Sequence, residues 1–360
     1  MKPATLLLAV LLTPCAHAAE AEPGVYGRQA REVMAHIQET FWKEGPGLYA
    51  ESETKRHPDF MWPNGVMFSA LVAAARHEPE TYRPVMERFF TSLDAYWDAK
   101  AKVPGYEPSP VSGGTGDKYY DDNAWMVLTF LEAYDLTKEE RYRTRAEQAL
   151  RFVLSGWDDR AGGGIWWHEA HKDGSKNTCV NAPAAVGCLR LASVSKAPVA
   201  RQLRERTQRL VAWTTGALQA DDGLFYDRVI VATGAVKKGK MTYNAALMIR
   251  AQLGLHQFSG EPEPLDEARR IARAADALLN PATGAYRDPI KWSHLLVEAD
   301  LELYRATHDA FLLERARKNA AVFYEQWKAR RPADMMANAS LARLLWLMAD
   351  TESAPPQVTD

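Results

Sequence analysis

Cysteine is nearly missing from this chain, with three in 360 residues, too few to build a disulfide scaffold. Net charge is close to missing as well. Lysine and arginine number 44 against 46 aspartate and glutamate, a balance of −2. No cluster of basic residues supplies the electrostatic footprint of a nucleic-acid binder. No stretch reaches the ~20 uncharged apolar residues of a membrane-spanning helix. Neither nucleic acid nor a membrane span is therefore expected. Apolar and aromatic side chains are plentiful: 47% of residues are hydrophobic, with 11 Trp, 14 Tyr and 11 Phe, which excludes a disordered acidic protein. Length alone favours two domains or more at roughly 150 residues each.

The first eighteen residues read as an export signal. Lys2 opens a short positive region, Leu6 to Leu12 is apolar, and Ala16-His17-Ala18 presents the small residues that a signal peptidase accepts. Cleavage after Ala18 is expected. Lipidation at Cys15 is disfavoured by Pro14 directly before it. Only Cys179 and Cys188 then remain. Nine residues apart, with Cys188 inside an expected helix, they sit too far apart to bridge and read as two buried thiols.

A repeat overrules the domain count. Glycine followed by apolar or aromatic residues recurs at Gly47, Gly105, Gly164, Gly223 and Gly284, with spacings of 58, 59, 59 and 61. A sixth, degenerate copy falls near Arg331-Pro332-Ala333-Asp334. Helices before each glycine loop are amphipathic: Glu139–Leu154, Arg201–Ala217 and Pro264–Leu279 each carry an apolar stripe and a wet face. Helices after each loop, such as Ala124–Leu131, Ala182–Ala192, Ala245–Leu255 and Met335–Met348, are apolar all round and must be buried on every side. Twelve helices alternating in this way describe an all-α (α/α)6 toroid of six helical hairpins. It forms one domain over residues 19–350, with a flexible tail over 351–360. An open solenoid would keep a polar concave face on its inner helices. A short β-hairpin is expected over Arg228–Val236.

The toroid makes a geometric prediction, because every glycine loop leads from an outer helix into an inner one. All six inner-helix N-termini then share one end. That end carries Trp62 and Asn64, then Tyr119, Tyr120, Asp121 and Asp122. The later helices add Asn177 and Asn181, Tyr243 and Asn244, Trp292 and His294, and Asp334 and Asn338. Any single Asn there could be a helix cap, but six such ends with aromatics beside them point to a pocket. Aromatic faces beside amides and carboxylates suit a sugar. Trp166 and Trp167 fit a stacking role, whereas Trp125 reads as core, one turn down its helix. Two consecutive acids, Asp121 and Asp122, open an otherwise apolar helix. Capping and dipole stabilisation explain one acid and not two. Adjacent carboxylates split their titrations, so that one stays protonated beside an ionised partner, as glycoside hydrolysis requires.

Other motifs are weaker. His168-Glu169-Ala170-His171 spaces its histidines three apart, where the zinc-protease helix needs four, and no metal or other cofactor is expected. Ser112-Gly113-Gly114-Thr115-Gly116 lacks the ending of a phosphate loop. Asp158-Asp159 and Asp221-Asp222 shape turns, with Asp222 able to reach the cleft.

The chain resembles glycoside hydrolase family 76, the bacterial endo-α-1,6-mannanases, over nearly all of its mature length. The resemblance rests on Tyr119-Tyr120-Asp121-Asp122-Asn123-Ala124-Trp125, Ser155-Gly156-Trp157-Asp158, Gly162-Gly163-Gly164-Ile165-Trp166-Trp167, Lys176-Asn177-Thr178-Cys179, Asn181-Ala182-Pro183-Ala184 and Thr242-Tyr243-Asn244. It implies an (α/α)6 fold, a retaining double displacement and no metal. Asp121 would be the nucleophile and Asp122 the general acid/base. Trp62, Asn64, Tyr119, Tyr120, Trp166, Trp167, Asn177, Asn181, Asp222, Tyr243 and Asn244 would contact an α-mannan-like polysaccharide or oligosaccharide. The chain departs from the family at Ala245-Ala246 and in a shortened loop near Asp288 to His294. The expectation is an exported, monomeric α-mannan hydrolase. The alternatives are a non-catalytic glycan-binding protein, a transglycosidase, and an epimerase that would need His294 as a base.

Overall fold

The computed structural model describes residues 24–111, 116–172 and 174–352. The expected export signal, most of the Ser112–Gly116 loop and nearly all of the expected tail lie outside these residues. Thr351 and Glu352, placed by the sequence in that tail, instead complete the last helix.

Six inner helices form a closed ring: α2 (Met61–His77), α4 (Tyr120–Thr137), α6 (Thr178–Ser193), α8 (Thr242–Ser259), α10 (Ile290–Thr307) and α12 (Met335–Glu352). Each packs against the next, and α12 packs against α2. An open solenoid would leave those last two apart. Six outer helices wrap the ring: α1 (Val25–Phe41), α3 (Pro79–Ser92), α5 (Glu140–Ser155), α7 (Ala197–Leu218), α9 (Pro262–Ala274) and α11 (Ala310–Ala329). Each tight turn joins an inner helix to the outer helix after it, and α1 covers α12. The architecture is the expected (α/α)6 toroid. No helix of the described residues is long and apolar enough to cross a membrane.

The two helix classes follow from their side chains. Outer α5 buries Tyr142, Ala146, Leu150 and Val153, and its wet face pairs Arg143 with Glu147 at 2.7 Å, one turn apart. Inner α2 buries every residue from Asn64 to Ala75. Small residues let inner helices approach closely: a Cβ at Gly254 of α8 would lie 2.8 Å from a Leu189 methyl of α6. The α9 stretch is shorter than the sequence suggests, because its last turn tightens into a 3-10 helix over Ala275–Leu278.

The interior is not apolar throughout, which corrects the expectation that the inner helices are apolar all round. Arg343 of α12 is bidentate to Glu132 of α4, with both contacts at 2.9 Å, and reaches Glu298 of α10 at 2.6 Å. Arg250 of α8 meets the same Glu298 at 3.2 Å. Single charges scattered at helical spacing gave no sign of this network. It forms only when four helices bring them to one axis.

The glycine loops fold back as small antiparallel pairs. β1 (Trp42–Lys43) pairs with β2 (Leu48–Tyr49), and β3 (Trp97–Asp98) pairs with β4 (Gly105–Tyr106). The expected hairpin is present as β6 (Arg228–Ile230) and β7 (Ala235–Lys237), joined by a third strand, β5 (Ser175–Asn177), that the sequence did not signal. Asparagines on the first turn of three inner helices tie these loops down. Asn123 accepts the Tyr106 N–H at 2.7 Å and donates to the Tyr106 and Tyr119 carbonyls. Asn181 does the same for Ile165, at 2.7 and 3.2 Å, and donates to the Asn177 carbonyl. Asn338 donates to the Pro332 and Asp334 carbonyls. The recurrent Asn is thus a fastening for buried backbone groups that would otherwise go unpaired.

Candidate active site

A cleft of about 710 Å³ opens at the shared N-terminal end of the inner helices. Asp121 and Asp122 stand on its floor in the first turn of α4, where the helix dipole favours an anion. Around them the cleft gathers Trp62, Tyr119, Trp167, Asn177, Tyr243 and Trp292, all expected at that end, and Phe60, Trp125, Cys179, Asp227 and Arg228. The rings supply flat apolar faces, and two carboxyls with an amide supply directed hydrogen bonds.

The two acids have unlike surroundings. Asp121 accepts three hydrogen bonds: the Asp122 N–H at 3.0 Å, the Trp167 indole N–H at 2.9 Å and the Cys179 thiol at 3.6 Å. Burial raises its pKa to about 6, and these donors restrain the rise. The Asp122 carboxyl makes no hydrogen bond among the described residues. Burial and the neighbouring Asp121 charge push it well above the usual carboxylate range. Protons therefore distribute unevenly across the pair. Of the two, Asp121, held by donors, is the one that ionises more readily, and Asp122, which lines the cleft, is the one that holds a proton more tightly. An ionised and a protonated carboxyl side by side can deliver a nucleophile and a proton to one bond.

Several residues assigned to this site by the sequence lie elsewhere. Trp166 is fully buried; its indole N–H bonds Asp158 at 2.9 Å, and Arg160 and Lys176 lie against its ring. Strand alternation explains this, because Trp166 and Trp167 face opposite ways. Tyr120 is buried and stacks on Phe152 with centroids 4.7 Å apart. Asn64 is buried, donating to the Asp59 carbonyl and the Tyr96 hydroxyl. Asn181 serves as the loop fastening. Asn244 is fully buried beneath the cleft. Asp222 is half-exposed and paired with Lys240. His294 is buried outside the cleft, and its Nδ1–H donates to the Ile290 carbonyl at 3.0 Å. Burial and the Arg343 charge push its pKa down to about 4, and no histidine among the described residues lines the cleft as the base an epimerase would need.

Other residues were missed or misread. Trp125, read as core, lines the floor because α4 turns that face to the ring axis. Cys179, read as a buried thiol, is half-buried beside Asp121. Asp227 and Arg228 arrive through the pairing of β6 with β5, where Asn177 sits opposite Arg228. That pairing is long-range, and the sequence held no signal for it.

A closed helical toroid with paired carboxyls in an aromatic cleft defines a class of carbohydrate-active proteins. The sequence profile described as Glycosyl hydrolase family 76 matches residues 26–304, and the chain belongs to that family. The Meiotically up-regulated gene 191 protein of Schizosaccharomyces pombe is 27% identical over 259 residues, 65% of this chain and 57% of that protein. The chain therefore spans little more than half of that relative's length. Among solved structures, a GH76 α-mannanase of Bacteroides thetaiotaomicron superposes with a TM-score of 0.85 at 24% identity, covering 91% of this chain and 96% of that one. An inactive variant of a Salegentibacter α-1,6-mannanase, with two neighbouring aspartates changed to asparagine, is in complex with α-1,6-mannotriose. It superposes at 0.76 with 22% identity, covering 90% and 99%.

Proposed function

We propose that the protein is an exported, monomeric, retaining glycoside hydrolase that cleaves α-mannosidic linkages, α-1,6 among them, within a polysaccharide. The observation that carries this reading is the asymmetric acid pair in an aromatic cleft: Asp121 accepts three hydrogen bonds that favour its anion, whereas Asp122 accepts none among the described residues and is pushed toward its protonated form. Sugar rings would stack on Trp62, Trp125 and Trp167, placing an anomeric carbon over Asp121. Asp121 attacks that carbon while Asp122 gives its proton to the departing glycosidic oxygen. The resulting glycosyl ester on Asp121 removes the negative charge that kept Asp122 protonated as its neighbour. Asp122, now an anion, takes a proton from water, which attacks from the face the leaving group vacated. Two inversions give net retention. Adjacent positions on one helix turn would keep the carboxyls close, nearer the ~5–5.5 Å of retaining enzymes than the ~6.5–9.5 Å of inverting ones. A neutral substrate fits a cleft that needs no electrostatic steering, and the names of the structural relatives support α-mannan as its class.

The test is digestion of a panel of α-mannans with NMR observation of the first-released anomer. Retained α-anomer from α-1,6-linked substrates is expected, and loss of turnover in Asp121→Asn and Asp122→Asn with folding intact. Inversion would overturn Asp121 as nucleophile. Undiminished glycan affinity without any turnover in the unaltered protein would favour a binding role instead.

A further inference from the structure

Beside the cleft, two segments of chain lie zipped together. The Tyr120 N–H donates to the Trp167 carbonyl and the Glu169 N–H to the Lys118 carbonyl, each at 2.9 Å. Tyr119 and His168 sit opposite each other as an antiparallel bridge. Three side chains with metal-binding atoms project from this ladder: Asp117, His168 and His171, whose ligand atoms all lie within 4.8 Å of one another. The Ala170 N–H occupies Asp117 Oδ1 at 2.8 Å, which turns Oδ2 toward both imidazoles. His168 Nδ1 is 2.9 Å from that oxygen and His171 Nε2 is 3.7 Å from it.

We propose that Asp117, His168 and His171 bind one divalent transition-metal ion, with zinc the best match to the ligands. Two imidazole nitrogens and one carboxylate oxygen are a ligand set that zinc accepts, with water completing the tetrahedron. Ligand atoms ~2.0–2.2 Å from a tetrahedral ion stand about 3.3 Å apart, and the two measured separations fall on either side of that value. The three-residue spacing of the histidines counts against a helical metal motif, but this segment is not helical, so that objection has no force here. The third ligand comes from a segment fifty residues earlier in the chain, which is why no local motif announces the site. Ordinary ion pairing accounts for one imidazole on Asp117, and less well for two converging on the same oxygen.

The ion's position gives it a consequence. His168 follows Trp167, and the rings lie 5.2 Å apart. Trp167 holds Asp121 by its indole N–H. An ion joining Asp117 to His168 locks the ladder that orients Trp167, so His168 acts as a positioning residue. The binding claim does not depend on the glycosidase reading.

The mature protein, stripped with chelator and dialysed, is titrated with zinc by calorimetry and with cobalt as a visible-absorption probe. One ion per chain is expected, with tetrahedral cobalt bands and a change in tryptophan emission. His171 is 63% exposed, so His171→Ala removes a ligand without endangering the fold; His168→Gln tests the partly buried ligand. Each should weaken zinc binding by at least about tenfold and dim the cobalt bands. Absence of saturable zinc binding, or equal affinity in both variants, overturns the site. Zinc that binds to the stripped protein without changing its emission or its rate on α-mannan overturns the link to Trp167.

Discussion

Replacing Trp167 by Phe keeps an aromatic face in the cleft and deletes one donor to Asp121. The lost bond, 2.9 Å from indole N–H to Oδ2, is a charge-assisted one, since it stabilises the anion and not the neutral acid. Such bonds contribute ~1.5–3 kcal/mol. Trp167 is 37% exposed, so solvent screening favours the lower end. Taking ~1.5 kcal/mol at 1.36 kcal/mol per pKa unit moves Asp121 upward by about one unit. The unaltered value is about 6, and the variant should therefore titrate near ~7. The acid limb of kcat/KM reports ionisation of the free enzyme, here as an apparent value of the coupled pair. Measured on an α-1,6-mannooligosaccharide between pH 4 and 9, that limb should shift alkaline by about one unit. Any loss of stacking changes the height of the profile and not its position. An unmoved or acid-shifted limb in a folded variant would refute the assignment of Trp167 as a donor that keeps Asp121 ionised. Cys179→Ala, which deletes a weak S–H donor at 3.6 Å, should move the limb in the same direction by a smaller step.

Because folding raises both aspartate pKa values, the folded state holds their protons more tightly than the unfolded chain, and stability falls as pH climbs from ~4 through about 6. Asp122→Asn should then melt at or above the unaltered protein at pH 7, with the difference closing near pH 4; a lower melt at pH 7 would contradict the linkage. Arg343→Met leaves Glu132 and Glu298, both almost fully buried, without their shared cation. A loss of about 3–5 kcal/mol in urea unfolding is expected. Asn181→Ala strands the buried Ile165 N–H and should cost about 1–3 kcal/mol with little change in KM. Trp62→Ala should raise KM and leave the melt unchanged, whereas Trp166→Ala should lower the melt, since its ring is fully buried; the reverse pattern would exchange their roles.

Much of the architecture was legible in one dimension. A glycine period near 59 residues and the alternation of one-faced and fully apolar helices report burial directly, and a ring of twelve helices is the arrangement that satisfies both. Asp121 and Asp122 were legible for the same reason: two charges opening a helix that buries nearly everything else have no structural explanation. Where single residues were misjudged, the cause was orientation. Trp166 and Trp167 are neighbours in sequence and opposites in space. Asn64, Asn123, Asn181 and Asn338 recur at equivalent positions, which reads equally as a ligand or as a fastening until the backbone groups they satisfy are seen.

The sequence by itself determined the period, the two helix classes, the end of the ring where polar groups gather, and the acid pair. These are local properties of composition and spacing. Tertiary structure alone decided which carboxyl is the anion, because the donors to Asp121 come from Trp167 and Cys179, 46 and 58 residues away. It also decided the Glu132–Arg343–Glu298 network, the entry of Asp227 and Arg228 into the cleft, and the convergence of Asp117 with two histidines. Proton affinity and ligand geometry depend on what lies within a few ångströms, and in a closed ring those neighbours are distant in sequence.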